Sequence, residues 1–185
     1  MLTVRRMKEE DAGRAAVLEA ENFAEPWTEA SFLETLRLDY AYYYVAEIRE
    51  ELEEEHTEPY REMAAERAGK KEKSSIAGIC GLRNMAGEGE ITNVSVDLHY
   101  RRRGVASAML RRVLEDGQKL GIADFTLEVR CSNLPAIRLY EKFGFTGEGV
   151  RKGFYANPRE DALIMWKRQE ADGTITTVFT AGAHV

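Results

Sequence analysis

The chain has 185 residues, 44% hydrophobic and 31% charged, a composition typical of one compact domain that needs no metal or disulfide staple. Its formal net charge of −6 argues against a general nucleic-acid binder, and no stretch is long and apolar enough for a membrane span or signal peptide. Cys80 and Cys131 lack metal-ligand spacing and indicate a reducing compartment, where we expect both to be small core residues. These features predict a cytoplasmic protein.

The predicted elements of the first half alternate between strand and helix. Residues 2–7 alternate like a short strand, and residues 9–23 place apolar side chains at helical spacing. Thr28 is a candidate N-cap for a second helix, so Pro26 and Trp27 fall on the bend between the two helices. The strand patterns AYYYVAEI, SSIAGICGLRN and EITNVSVDL follow and predict an antiparallel meander.

A strongly charged stretch interrupts this meander. Residues 47–73 contain ten acidic and six basic side chains and few large apolar ones. This composition is typical of a solvated insertion between two strands, either without a specific partner or acting as an acidic lip that attracts a basic substrate. We expect one domain over residues 1–168 that carries this insertion, and a tail at 169–185 to which no role is assigned.

The second half predicts a strand-turn-helix unit followed by a helix and a hairpin. HYRRRGVASAMLRRVLEDGQKLG joins a strand end to an amphipathic helix, and ADFTLEV is a strand. Ser132 or Asn133 then caps a short helix, and FTGEGVRKGFY and REDALIMWKR form a final hairpin. The order β-α-α-β-β-β-α-β-α-β-β predicts an α/β fold, with a mixed sheet of roughly seven strands and roughly four flanking helices.

Three features of the second half carry chemistry. The turn at residues 101–106 sets three arginines and a glycine before a helix N-terminus, where it either binds an anion or is a plain solvated turn. Glu128 lies within an otherwise apolar strand, as a functional carboxylate or as half of a salt bridge. Tyr140 lies at helical spacing to apolar residues and by itself is typical of a core tyrosine.

Three segments together resemble a known family. ITNVSVDLHYRRRGVASAML, LEVRCSNLPAIRLYEKFGF and REDALIM are similar to the GNAT superfamily of N-acetyltransferases and, within it, to the RimI-type ribosomal-protein alanine N-acetyltransferases. The resemblance covers residues 2–167, including FAEPWTEASF, but not the 47–73 insertion. The superfamily's acetyl-CoA signature, R/Q-x-x-G-x-G/A, is matched by Arg101, Gly104 and Ala106.

The resemblance implies acetyl-CoA as the acetyl donor and no metal. It implies that the strand before the turn splays from its neighbour and holds the pantetheine arm with backbone groups. The turn would then cradle the pyrophosphate, in agreement with anion binding at a helix N-terminus. The implied contacts lie on the strand, the turn and the start of the later helix: Val94, Ser95, Val96, Arg101, Arg102, Arg103, Gly104, Val105, Ala106, Ser107 and Asn133.

The implied chemistry is direct acetyl transfer, with Glu128 as general base and Tyr140 as general acid. A peptide α-ammonium group has an ordinary pKa of about 7.7 to 8.0 and must lose a proton before it reacts. Burial would raise the basicity of Glu128, and the Tyr140 hydroxyl would protonate the departing thiolate. A backbone N–H near Val96 is the expected oxyanion donor, and Cys131 is not required as a nucleophile.

The implied acceptor is an N-terminal alanine, typically of a small-subunit ribosomal protein. Trp27, Arg151 and Tyr155 are expected to line its pocket. An enzyme of the same fold acting on a small amine, or on a broader set of protein N-termini, remains an alternative. So does a non-catalytic acyl-CoA-binding module, although the presence of both Glu128 and Tyr140 argues against it. No nucleic-acid or membrane partner is expected, and the oligomeric state is left open.

Overall fold

A computed structural model describes residues 1–51 and 72–169. These ranges form a mixed sheet and its flanking helices in the predicted order, which confirms the α/β fold class. The elements are β1 (Leu2–Arg6), α1 (Ala12–Asn22), α2 (Glu29–Leu36), β2 (Ala41–Glu51), β3 (Glu72–Met85), β4 (Glu88–Val96), α3 (Val105–Lys119), β5 (Asp124–Arg130), α4 (Leu134–Lys142), β6 (Thr146–Tyr155) and β7 (Glu160–Lys167).

The sheet is antiparallel except at its centre. Its strand order is β1-β2-β3-β4-β5-β7-β6, and only β4 and β5 are parallel neighbours. In the described structure these two strands pair from Glu88 with Asp124 to Ile91 with Leu127. The splayed half of β4, residues 92–96, therefore pairs with β3 alone, which leaves a gap between β4 and β5.

Helices cover both faces of the sheet and form a core on each. On one face, α1 and α2 bury Leu18 and Phe32 against Tyr43 of β2. On the other, α3 buries its apolar stripe, including Met109, against β-strand residues such as Phe125, and α4 packs beside it. Successive side chains along β2 to β5 point to opposite faces of the sheet, so these strands contribute residues to both cores.

The N-caps predicted for α2 and α4 are confirmed. Thr28 Oγ1 accepts a hydrogen bond from the Ser31 backbone N–H at 3.1 Å. Of the two candidate caps for α4, Asn133 is the one used, because its Oδ1 accepts from the Ala136 N–H at 3.3 Å. These caps satisfy backbone donors that a helix start leaves without an intrahelical partner.

Two sequence predictions are corrected. The predicted insertion, residues 47–73, includes the ends of both flanking strands, because β2 continues to Glu51 and β3 starts at Glu72. The remainder, residues 52–71, lies outside the described residues, as does the tail from residue 170 onward. Cys131 is exposed rather than packed in the core, because it follows directly after the last residue of β5, whereas Cys80 is buried.

In residues 1–51 and 72–169, no helix is both long and apolar enough to cross a membrane. These ranges also contain no group of three or more His, Cys, Asp or Glu side chains placed to hold a metal ion.

Candidate active site

The gap between β4 and β5 begins at a β-bulge. Cys80 pairs with Val94 and Leu82 pairs with Ile91, so two β4 residues, Thr92 and Asn93, oppose the single residue Gly81 of β3. A Cβ at Gly81 would collide with both of their side chains. The absence of a side chain at this position therefore allows the bulge, and the bulge turns β4 away from β5.

The basic turn closes one end of the gap. Arg102 and Gly104 both have positive φ, 62° and 80°, and they bend the chain so that α3 starts at Val105. Among the described residues, apart from the two chain neighbours of Gly104, no atom lies within 4 Å of where its Cβ would be. Because the three turn arginines are exposed and the 15-residue α3 points its positive N-terminus here, the turn has the room and charge for a phosphate group.

The splayed half of β4 turns its side chains to opposite faces. Val94 and Val96 pack against the α3 core, whereas Ser95 is fully buried on the α1 side. Ser95 therefore offers the gap its backbone and not its hydroxyl. The turn side chains also have protein partners: Arg101 donates to Asn22 Oδ1 at 2.7 Å, and the Arg103 guanidinium lies 5.5 Å from the Tyr100 ring centroid.

Glu128 faces away from the α3 core, as the alternation along β5 predicts. Its Oε1 lies 3.0 Å from Nη1 of Arg151, and its side chain retains 23% of its accessible surface. Burial raises the pKa of Glu128 above its usual value, and the negative charge of Glu90 raises it further, while Arg151 opposes both effects. The carboxylate is thus more basic than an ordinary glutamate and is held by one exposed arginine.

Tyr140 approaches β5 from the opposite face. It is 8% exposed, belongs to the α3 core, and packs edge-on against Phe145 with ring centroids 6.0 Å apart. Burial raises the pKa of Tyr140, so its hydroxyl stays protonated at neutral pH and can donate a proton. Glu128 and Tyr140 therefore lie on opposite faces of β5, next to the gap between β4 and β5.

The predicted acceptor residues fall into two groups. Arg151 and Tyr155 adjoin Glu128, since Arg151 pairs with its carboxylate and the Tyr155 hydroxyl donates to its carbonyl oxygen at 3.4 Å. Trp27 instead packs on Phe32 and Tyr43, with ring centroids 5.4 and 5.7 Å away. It lies on the same face of the sheet as Glu128 but over β2, with β3 and β4 between them, and the structure does not bring the two side chains into contact.

Arg83 and Glu90 connect these two groups. The Arg83 guanidinium lies 5.5 Å from the Trp27 ring centroid and 3.9 Å from a Glu90 carboxylate oxygen. Glu90 in turn acts electrostatically on Glu128. A row of charged side chains therefore crosses β3, β4 and β5 between the two groups.

Arg130 is a site residue that the sequence analysis missed. Its guanidinium lies 4.1 Å from the Tyr155 ring centroid and donates to the carbonyl oxygens of Asn157 and Pro158 at 2.9 and 3.0 Å. It also pairs with Glu160 at 3.1 Å. Arg130 therefore fixes the β6–β7 turn and Tyr155 to the end of β5.

Glu19 is the second missed residue. It is only 2% exposed, and its Oε1 accepts from Asn93 Nδ2 at 3.0 Å and from Ser95 Oγ at 2.9 Å. Helical spacing in the sequence could have identified Glu19, because Ala12, Ala15 and Glu19 occupy one stripe of α1. A glutamate in such an apolar stripe needs buried hydrogen-bond partners.

A cavity of about 510 Å³ lies outside the gap. Side chains of α1, of the start of β3 and of the segment after β4 line it, and neither Glu128 nor Tyr140 is among them. This cavity is therefore separate from the site beside β5.

Comparison with known proteins gives consistent similarities. Residues 16–145 match the model of the acetyltransferase (GNAT) family. A Bacillus subtilis (strain 168) protein, provisionally named ribosomal protein bS18-alanine N-acetyltransferase, is 34% identical over 164 residues, which are 88% of this chain and 93% of that protein. The Escherichia coli (strain K12) ribosomal protein bS18-alanine N-acetyltransferase is 41% identical over 80 residues, 42% of this chain and 54% of that protein.

A solved structure extends the similarity to the fold. The crystal structure of the ribosomal-protein-S18-alanine N-acetyltransferase from Escherichia coli superposes with a TM-score of 0.69 and 26% sequence identity. The superposition covers 91% of this chain and 94% of the other.

Proposed function

The chain belongs to the GNAT family of acetyltransferases, and on that premise we propose that it transfers an acetyl group from acetyl-CoA to the α-amino group of a protein N-terminus. The acceptor is an N-terminal alanine of a small-subunit ribosomal protein. The observation that carries the proposal is the placement of Glu128 and Tyr140 on the two faces of β5, beside a gap that the basic turn closes.

The donor half of the site fits acetyl-CoA. When bound, acetyl-CoA supplies the activated acyl group. Backbone N–H groups at the start of α3, together with the three turn arginines, bind its phosphates. The splayed half of β4 has one edge free of strand partners, and its backbone groups hold the pantetheine arm. Asn133, which caps α4, is a further contact to acetyl-CoA that the family resemblance implies.

Glu128 is the general base. It removes a proton from the α-ammonium group of the acceptor, directly or through a water molecule. Its raised pKa brings its basicity closer to that of the amine than an ordinary glutamate would have. Since Arg151 pairs with the same carboxylate, the incoming ammonium group replaces Arg151 as the partner of Glu128.

Tyr140 is the general acid. Burial keeps its hydroxyl protonated at neutral pH, so the hydroxyl is available to protonate the leaving sulfur. An amine acceptor and a thiolate leaving group require one base and one acid, and these two residues provide them without a metal ion or a covalent acetyl-enzyme.

The names of the relatives and the acceptor side of the site support the choice of acceptor. Arg151 and Tyr155 of β6 adjoin the base, and Arg130 holds the turn that follows β6. The row of charged side chains that continues toward Trp27 can contact the residues that follow the N-terminal alanine. A ribosomal acceptor places the reaction in the cytoplasm.

A peptide panel with acetyl-CoA and mass-spectrometric detection tests this proposal. The panel compares N-termini that begin with Ala, Ser and Met with a free polyamine, and an Ala peptide with a blocked N-terminus controls for lysine acetylation. We expect the free Ala peptide to react fastest and the blocked one not to react. Acetylation of the polyamine without acetylation of any peptide would contradict the proposal.

A further inference from the structure

Helix α1 supports the splayed half of β4 where β5 no longer does. Three polar side chains of α1 bind residues on β4 or directly after it. Arg14 pairs with Asp97 and Asn22 accepts from Arg101, while Glu19 binds Asn93 and Ser95. The side of β4 that turns away from the α3 core is therefore fixed by side-chain hydrogen bonds from a helix.

Glu19 is the most buried of these contacts. The same carboxylate oxygen accepts from Asn93 and Ser95. No lysine, arginine or histidine in the described ranges forms an ion pair with Glu19. A buried carboxylate without a cation depends on its hydrogen-bond donors, so the donors and the carboxylate fix each other's positions.

The hydrogen bonds of Glu19 extend into the bulge. Asn93, which donates to Glu19, accepts from Thr92 Oγ1 at 3.0 Å. Thr92 Oγ1 lies 2.9 Å from the Tyr43 hydroxyl, which is buried. Both bulge residues are therefore part of one hydrogen-bond network, which joins the buried Tyr43 to the buried Glu19.

We propose that Glu19 is a positioning residue that couples the acetyl-CoA side of the site to the acceptor side. It fixes the bulge and the splayed half of β4 on one side. Through Asn93, Thr92 and Tyr43 its hydrogen bonds reach Trp27 on the other, because the Tyr43 and Trp27 ring centroids lie 5.7 Å apart. Glu19 touches neither substrate. The inference rests on the proposed function, because it takes acetyl-CoA as the donor and a peptide as the acceptor.

The test compares Glu19→Ala and Glu19→Gln with matched changes at Glu34, an exposed glutamate of α2. Calorimetry gives the Kd of acetyl-CoA, steady-state kinetics gives kcat and KM for the Ala peptide, and thermal unfolding gives Tm. Glu19→Ala leaves buried donors without an acceptor, so we expect the acetyl-CoA Kd and the peptide KM each to rise about tenfold. Glu19→Gln keeps a carbonyl oxygen for Asn93 and Ser95 and should restore the acetyl-CoA Kd to within about threefold of wild type.

A purely structural role gives a different result. Glu19→Ala would then lower Tm but leave Kd, kcat and KM within about twofold of Glu34→Ala, and this outcome overturns the inference. If Glu19→Ala does not fold, Ser95→Ala removes one donor and keeps α1 intact. Its acetyl-CoA Kd should rise about threefold, and an unchanged Kd overturns the inference equally.

The two proposals fail separately. If the wild-type protein does not acetylate the Ala peptide, the proposed acceptor is wrong. The comparison of acetyl-CoA Kd values between Glu19 and Glu34 variants still decides the role of Glu19 on the donor side.

Discussion

At the scale of single residues, the basicity of Glu128 results from opposing effects. Burial and the charge of Glu90 raise its pKa, whereas the ion pair with Arg151 lowers it. A base must be deprotonated before it can accept a proton, so Arg151 keeps Glu128 ionised in the free enzyme. The same arginine must leave the carboxylate when the acceptor ammonium arrives.

Replacing Arg151 should therefore change the pH dependence of the reaction. Arg151→Met removes the cation that favours the ionised carboxylate, so the pKa of Glu128 rises. The acidic limb of kcat/KM that belongs to Glu128 should move to higher pH. Lys152→Met, at an exposed neighbour that pairs with Asp161, is the control and should leave this limb in place. A limb that moves to lower pH in Arg151→Met would show that the ion pair does not regulate the base.

Tyr140→Phe tests the general acid. The substitution removes one hydroxyl and keeps the ring that packs on Phe145. We expect kcat to fall by about 10²-fold or more, because positioned acid catalysis contributes on that scale. Acetyl-CoA Kd and Tm, measured by calorimetry and thermal unfolding, should remain close to wild type. A wild-type kcat would remove Tyr140 from the mechanism.

The site residues that the sequence predicts differ in one respect from those that only the structure indicates. Glu128 and Tyr140 belong to contiguous segments that resemble a family, so their positions in the chain carry the information. Glu19 and Arg130 act through partners distant in sequence: Glu19 is 76 residues from Ser95, and Arg130 is 27 residues from Asn157. The sequence likewise did not predict that Cys131 is exposed, because the residue type alone does not show that β5 ends at Arg130.

At the scale of elements, the gap beside β4 depends on a contact across two strands. Alternation along β4 predicts a strand, and the order of elements and the caps of α2 and α4 follow from periodicity and turn chemistry. The bulge in β4 cannot be predicted from these patterns, because it requires Gly81 on β3 to face Thr92 and Asn93. The sequence pattern of β4 alone does not show that the residue opposite it on β3 is a glycine.

Gly81→Ala tests this dependence. The added Cβ would collide with the bulge residues, so β4 must shift. We expect a loss of about 1 to 3 kcal/mol in the free energy of unfolding, measured in urea, and weaker acetyl-CoA binding by calorimetry. Gly149→Ala is the matched control, since its Cβ would meet only Ile164 at 3.8 Å. Unchanged acetyl-CoA binding in Gly81→Ala would separate the bulge from the donor site.

At the scale of the whole molecule, the acidic charge is less concentrated than the sequence pattern indicates. The predicted insertion, residues 47–73, includes the ends of β2 and β3, and Glu47 in β2 pairs with Arg5 at 2.9 Å. That pairing and a hydrogen bond from Ser74 lower the pKa of Glu47 to about 2. Residues 52–71 contain six acidic and four basic side chains, so any acidic lip is weaker than the full stretch implies.

Deleting residues 52–71 tests whether this stretch attracts a basic acceptor. The deletion is limited to residues 52–71 so that the ends of β2 and β3 remain, because Glu47 in β2 is buried and pairs with Arg5. We expect kcat/KM for a basic Ala peptide to fall and to depend less steeply on ionic strength than in the full chain. A neutral Ala peptide is the control and should show no such change. An unchanged salt dependence for the basic peptide would rule out the acidic lip.

The central claim is that Glu128 deprotonates the N-terminal amine of an alanine acceptor beside the β4–β5 gap. The most direct measurement is kcat of Glu128→Gln with an Ala-initiated ribosomal-protein peptide, at saturating acetyl-CoA and with acetyl-CoA Kd determined on the same sample. We expect kcat to fall by about 10²-fold or more while Kd stays within about threefold of wild type. A wild-type kcat with wild-type Kd would contradict the account.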